Sequence, residues 1–281
     1  MSDYYDELAG SDDLAIVDGW RHWLEQWLRF EVVRRGLGIG DKDNIVDLGC
    51  GTGRLFRYLG PSRAGKYVGV DRLGASIERA RKSYGDDGKQ SFLHADLDDV
   101  CVDEAGPFDF AIAIGVLVDG DEVCSDVQRR QKLRRTMGRL NKLGQRGWAL
   151  VMLNQDVLDA DAIRRLEPSL QGASVAEIRA VLSDMDIDAA IDSEALPSDL
   201  FVICSRDEEP KEIEKRLVGD TAHRAVLERA DAERVEFDEA HRAWLWLVSG
   251  RLEKAEKAIS EIPDGHQRKA LLEERLRLLK G

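Results

Sequence analysis

Between Asn44 and Asn154 the chain alternates short apolar runs with stretches of helical spacing, and few folds accommodate that rhythm. The runs are "NIVDLG" (44–49), "KYVGVD" (66–71), "SFLHAD" (91–96), "FDFAIAIG" (108–115) and "GWALVMLN" (147–154). Helical spacing falls between them, over 53–59, 74–84, 97–102 and 123–143. Strand and helix in regular alternation predict a parallel sheet with helices on both faces. The runs are short and rich in β-branched residues, as strands covered on both sides are. A further helix is predicted over 174–185. Two more runs follow, "DIDAAIDS" and "DLFVICSR", joined by the turn-forming "EALPS". So short a connection predicts a hairpin, with the last two strands antiparallel. The expected fold class is α/β: a seven-stranded, doubly wound, mostly parallel sheet with an antiparallel last strand.

The densest local signal lies at the end of the first run, in "VDLGCGTG". Gly49, Gly51 and Gly53 follow a strand and open a helix. Residues without side chains there permit a tight turn and close approach of a ligand to the backbone, and the helix start offers free N–H groups. The dinucleotide-binding spacing G-x-G-x-x-G fails, because Arg54 stands at its sixth position. The spacing is acidic-x-G-x-G-x-G, with Asp47 as the acid. It resembles motif I of the class I S-adenosylmethionine-dependent methyltransferases.

Further resemblances follow in the family's order. The second strand ends in Asp71, within "YVGVDRL", where the family uses an acid to hold the ribose hydroxyls of adenosine. The third ends in "HADLDD". There the resemblance implies that Asp96 meets the adenine amino group and that the backbone N–H of Leu97 meets a ring nitrogen. The fourth run resembles the family's motif IV, beside the sulfonium. The implied cofactor is S-adenosylmethionine, with S-adenosylhomocysteine as product. The implied cofactor-binding residues are Asp47, Gly49, Cys50, Gly51, Gly53, Asp71, Arg72, Asp96, Leu97 and Ile114. Helix capping is the alternative role for Asp71 and for Asp96. His94 reads as a packed strand residue, not a catalytic base.

Methyl transfer from a sulfonium needs alignment and exclusion of water more than a fixed catalytic group. A hydroxyl or amine nucleophile would still need a base. Asp119, in "GVLVDG", is the candidate, with a loop or cap role as the alternative. Small-molecule members of the family often carry histidines or aromatics near this point, and this chain departs from them. "AIGVLVD" also lacks the Asn/Asp-Pro-Pro-aromatic motif of enzymes that methylate nucleobase amino groups. Candidates to line or cover the methyl-acceptor site are Tyr4, Tyr5, Trp20 and Asn154, together with the irregular stretch 155–174 on the edge where open α/β sheets bind ligands.

Composition narrows the readings. The formal net charge of the 281 residues is -13, which suits neither a phosphate backbone nor an anionic membrane. No run of about 18 apolar residues predicts a membrane-spanning helix. The acidic start "MSDYYDELAGSDD" lacks a signal-peptide pattern. Cys50, Cys101, Cys124 and Cys204 are scattered without a C-x-x-C pair, so no metal site is expected and a cytoplasmic location is. One local exception is "QRRQKLRRTMGRLNKLGQR", with eight basic residues from Arg129 to Arg146 and no acid. Val127, Leu133, Met137 and Leu140 are spaced to pack on the sheet. The basic side is either a solvated face or a dock for RNA, an acidic partner or a phosphorylated substrate.

Three segments are expected: an N-terminal helical lid (1–35) bearing Trp20, Trp23 and Trp27; a methyltransferase domain (36–206); and charged C-terminal helices (207–281) near 210–235, 237–249, 251–262 and 265–279. Within the last segment, "AHRAWLWLVSGRLEKAEKAI" resembles one tetratricopeptide unit, and a single such unit reads as a helical hairpin. It is a candidate for binding a protein or a second copy, or for capping the acceptor site. The core fold does not require it, so residues 1–206 are expected to fold alone and bind cofactor, with lower solubility or an altered oligomeric state because a contact face is uncovered. The preferred function is methylation of a small molecule. The alternatives are a protein or RNA methyltransferase recruited through the basic helix and C-terminal helices, and a catalytically silent scaffold.

Overall fold

The structure is a computed structural model and describes residues 23–97, 99–116, 126–157, 172–233, 238–266 and 268–280. Its strands are β1 (Ile45–Leu48), β2 (Tyr67–Asp71), β3 (Gln90–His94), β4 (Phe108–Ile114), β5 (Gly144–Asn154), β6 (Gly172–Ala173), β7 (Ala190–Asp192) and β8 (Asp199–Ser205). They form one sheet in the order β3-β2-β1-β4-β5-β8-β7, with β6 added beside β5. β1 to β5 pair in parallel. β8 runs antiparallel to both β5 and β7. The seven expected strands are thus the main path of the sheet. The eighth, β6, is two residues long and parallel to β5. It is too short to leave a periodic trace in the sequence.

Alternate residues of each strand feed two cores. Val46, Leu48, Val68 and Val70 face one layer, formed by α4 (Val100–Glu104), α5 (Asp126–Leu143) and α6 (Val175–Asp184). Leu133, Met137 and Leu140 pack there as expected, but Val127 is exposed. Ile45, Tyr67, Phe92 and Phe110 face the other layer, formed by α1 (Trp23–Leu37), α2 (Arg54–Leu59) and α3 (Gly74–Tyr84).

A third layer lies beyond α1. It consists of α7 (Pro210–Leu217), α8 (Thr221–Ala232), α9 (Glu239–Val248), α10 (Leu252–Glu261) and α11 (Lys269–Lys280). The helix expected over 210–235 is two helices, because Gly219 turns the chain in the left-handed region at φ 79°. Ile213, Leu217, Val226, Leu227 and Trp246 join the same hydrophobic core as α1. α1 is therefore covered by the sheet on one side and by C-terminal helices on the other, so even its charged residues Arg29 and Glu31 are buried. Each is paired, as burial of charge requires. The Arg29 guanidinium donates to both oxygens of Asp199 at 2.7 and 2.8 Å. Glu31 accepts from Arg34, Arg35 and the Tyr58 hydroxyl. Burial pushes the Glu31 carboxyl up, and the bonds from Arg34 and Tyr58 outweigh it, leaving the group below its usual range. Of the expected lid, Trp27 is a core residue, and Trp23 packs against the core edge-on to it at 5.0 Å.

Candidate active site

β1 ends at Leu48, and the next five residues turn the chain into α2. Gly49, Gly51 and Gly53 hold φ angles of 78°, 53° and 81°, where a side chain is strained. Space adds to the requirement: a Cβ on Gly49 would lie 2.2 Å from Val116 Cγ1. The turn is pinned to the sheet by the Gly49 and Cys50 amides, which donate to the Val70 carbonyl at 2.7 and 3.0 Å. Cys50 is buried in it.

Asp71 closes β2 beside this turn. One carboxylate oxygen accepts from the Gly51 amide and the other from the Leu73 amide, both at 2.8 Å. Burial raises its pKa, and those two amides hold it partly down. A carboxylate has about four acceptor positions, and the Gly51 and Leu73 amides, with a smaller contribution from the Arg72 amide, do not fill them all. Asp71 thus joins the glycine turn to the strand end and keeps acceptor capacity beside it.

Asp47 lies one layer deeper. It is buried and accepts from the Tyr67 hydroxyl at 2.5 Å. Burial and the neighbouring Asp47 carboxylate push the Tyr67 phenol well above its usual range, so it stays a donor. Tyr67 carries no motif, and only its place on the inward face of β2 marks it in the sequence.

On the far side of Asp71, Asp96 is exposed, and its amide donates to the Asp99 carboxylate at 2.9 Å. The loop is held from outside by Arg139 of α5. This guanidinium donates to the Leu97 carbonyl at 2.8 Å and to both Asp103 oxygens at 2.8 and 2.9 Å. Sequence reading missed this clamp, since Arg139 was one of eight basic residues and its partners lie about forty positions upstream. Arg72 is exposed, and its carbonyl accepts from the ring of His94 at 3.0 Å. His94 itself is exposed on the edge strand, with its ring lying against Gly74 at the start of α3. Ile114 is buried at the end of β4. Asn154 is buried at the end of β5, where its amide group donates to the Pro197 carbonyl and accepts from the Asp156 amide, both at 3.0 Å. Tyr4, Tyr5, Trp20 and Asp119 lie outside the described residues, as does 158–171 of the stretch following β5. No cluster of metal-ligating side chains occurs among the described residues.

The glycine turn, the acid ending β2 and the strand order meet in one stretch. Residues 45–142 match a family model described as a methyltransferase domain. That stretch is similar to a methyltransferase domain. Among solved structures, it is similar to the N-methyltransferase NodS from Bradyrhizobium japonicum WM9, determined with S-adenosyl-l-homocysteine. That match has a TM-score of 0.51 at 18% identity and covers 73% of this chain and 97% of that one. A chain from the complex between the Haloferax volcanii Trm112 methyltransferase activator and the putative methyltransferase scores 0.50 at 18% identity, covering 73% and 98%. At such identities the likeness is one of fold. A comparison with curated proteins finds no match. Within the matched stretch, Asp71, Gly51 and the Asp96–Leu97 loop stand along the carboxyl ends of β1 to β3, the edge where open α/β sheets bind ligands. No described helix is long and apolar enough to cross a membrane.

Proposed function

We propose that the protein transfers a methyl group from S-adenosylmethionine to a small-molecule acceptor. The cofactor fits the residues present: the turn at Gly49, Gly51 and Gly53 is bare, and Asp71 keeps acceptor capacity beside it. Bound there, S-adenosylmethionine would supply a methyl group already activated by its sulfonium. Asp71 would hold the ribose hydroxyls, Asp96 and Leu97 the adenine edge, and the glycine turn the amino-acid end. The protein's own task is then orientation and exclusion of water.

The observation that favours a small acceptor over a polyanion is the state of the basic helix. Arg129 is paired with Glu177, Arg134 with Asp184, and Arg139 and Lys142 with Asp103. Arg146 opens β5 and is paired with Asp43 and Asp207. Pairing cancels much of the field that would draw in phosphates. The global charge of -13 acts in the same direction.

The test is calorimetric titration with S-adenosylhomocysteine, followed by turnover assays on a metabolite panel with S-adenosylhomocysteine release as the readout. Saturable binding and turnover on one chemical class are expected. Absence of binding would sink the cofactor reading. Binding with no turnover on any metabolite, but with methylation of co-purifying RNA or protein, would replace the small molecule by a macromolecule.

A further inference from the structure

The last helix, α11, turns two kinds of surface outward and inward. Leu272 and Leu276 are buried against α9 and α10. Leu271 and Leu278 are exposed by 61% and 75%, and Leu279 by 51%. Residues 271, 274, 275 and 278 share one helix face by their spacing. Two large leucines so exposed on one helix face, Leu271 and Leu278, are more apolar surface than a solvated face needs.

The face reads the same in both directions. From Leu271 to Leu278 it runs leucine, Glu274, Arg275, leucine. Set against its own copy antiparallel, Leu271 lies opposite Leu278 of the second helix, and Glu274 lies opposite Arg275. Two leucine pairs then flank two opposite-charge pairs. A parallel arrangement would set Glu274 against Glu274 and Arg275 against Arg275, which is repulsive. Arg275 is already held in place, with its guanidinium 4.5 Å from the Trp244 ring centre, so little side-chain freedom is lost on pairing.

We propose that this face of α11 binds a second copy of the chain through a two-fold, antiparallel helix contact. Self-complementarity is what a two-fold interface demands and what a surface for an unrelated protein does not. The contact spans about two helical turns, so it falls below the roughly 1,200 Å² of stable complexes and associates reversibly.

Sedimentation equilibrium of the full chain tests this, in low and physiological salt, up to on the order of 500 µM. A monomer–dimer equilibrium that salt weakens is expected. L278E should be monomeric with an unchanged circular dichroism spectrum, because the side chain it replaces is exposed. E274R and R275E should each be monomeric, through Arg–Arg and Glu–Glu contacts. An equimolar mixture of the two should associate again, as should the double exchange E274R/R275E. A wild-type chain that stays monomeric, a dimer that survives L278E and E274R, or folded charge variants whose mixture stays apart would each overturn the proposal. So would a wild-type monomer that captures a different protein on this face.

Discussion

The Asp71 carboxylate has two duties in the proposed site: it ties the Gly51 turn to β2, and it presents the remaining acceptor positions to ribose. Both need the charged form. Burial raises the group above its ordinary 3.8, so protons compete for it at a higher pH than for a surface aspartate. Binding uses the deprotonated state. Affinity for S-adenosylhomocysteine should therefore be constant at neutral pH and fall on acidification, with a midpoint above 3.8. Asp71→Asn keeps the shape but turns one acceptor into a donor facing a backbone amide. Charge-assisted hydrogen bonds are worth roughly 1.5–3 kcal/mol, so affinity should drop about 10- to 100-fold. Calorimetry on the folded variant across pH decides both points. Unchanged affinity, or an acid limb that is also present in Asp71→Asn, would take this residue out of the site.

Elements differ in how much of themselves they write into the sequence. β1, β2 and α3 were legible because a strand covered on both faces must be apolar throughout, and a helix on a sheet must repeat its apolar side chains at helical spacing. The glycine turn was legible because only glycine tolerates three left-handed positions in a row of five. The loop after β3 was not legible in the same way. Its acids, Asp96 and Asp99, showed as a cluster, but the Arg139 clamp comes from a different helix and depends on how α5 packs. Long-range polar pairs such as Arg139 with Asp103, or Arg29 with Asp199, have no local signature. The clamp belongs to the element scale, because it fixes a whole loop and not one contact. Arg139→Lys keeps a charge but loses the fork that reaches Leu97 and Asp103 together. Each hydrogen bond lost is worth about 0.5–1.5 kcal/mol, so S-adenosylhomocysteine affinity should fall roughly 2- to 10-fold. Adenosine should lose as much as the whole molecule if the loop reads the adenine. An equal loss for a ligand without the base would point to general loosening instead.

For the whole molecule, the question is whether residues 207–281 are an appendage. The motifs end before them, which is why 1–206 reads as self-sufficient. The packing argues otherwise. Ile213, Leu217, Val226 and Leu227 are buried in the core that contains Leu24, Trp27 and Phe30 of α1. Trp244 donates to Glu25 at 2.8 Å, and Arg229 sits over the Tyr58 ring at 4.3 Å. His223 is wholly buried in this layer, stacked on Trp246 at 5.3 Å, with neither ring nitrogen in a hydrogen bond of ordinary geometry. Burial first, and the nearby Arg251 second, lower its pKa to about 4. The unfolded chain binds the proton near 6.5, so between these values unfolding takes up a proton and stability falls as pH falls. The loss from this group should reach about 3 kcal/mol by pH 4. His223→Phe keeps the stacked ring and should flatten that part of a urea-unfolding series. Because the histidine is buried within the C-terminal layer, the series also asks whether that layer unfolds together with the rest of the chain. Removing 207–281 exposes the outer side of α1, where each large side chain uncovered costs about 1.5–3 kcal/mol. Three or four of them match the whole stability of an ordinary domain, roughly 5–15 kcal/mol. A chain ending at Arg206 should therefore be aggregation-prone or unfolded, and a single pH-sensitive transition should be seen for the full chain by fluorescence and circular dichroism alike. A stable 1–206 chain with full cofactor affinity would show that α1 can hold its place on the sheet without its outer layer.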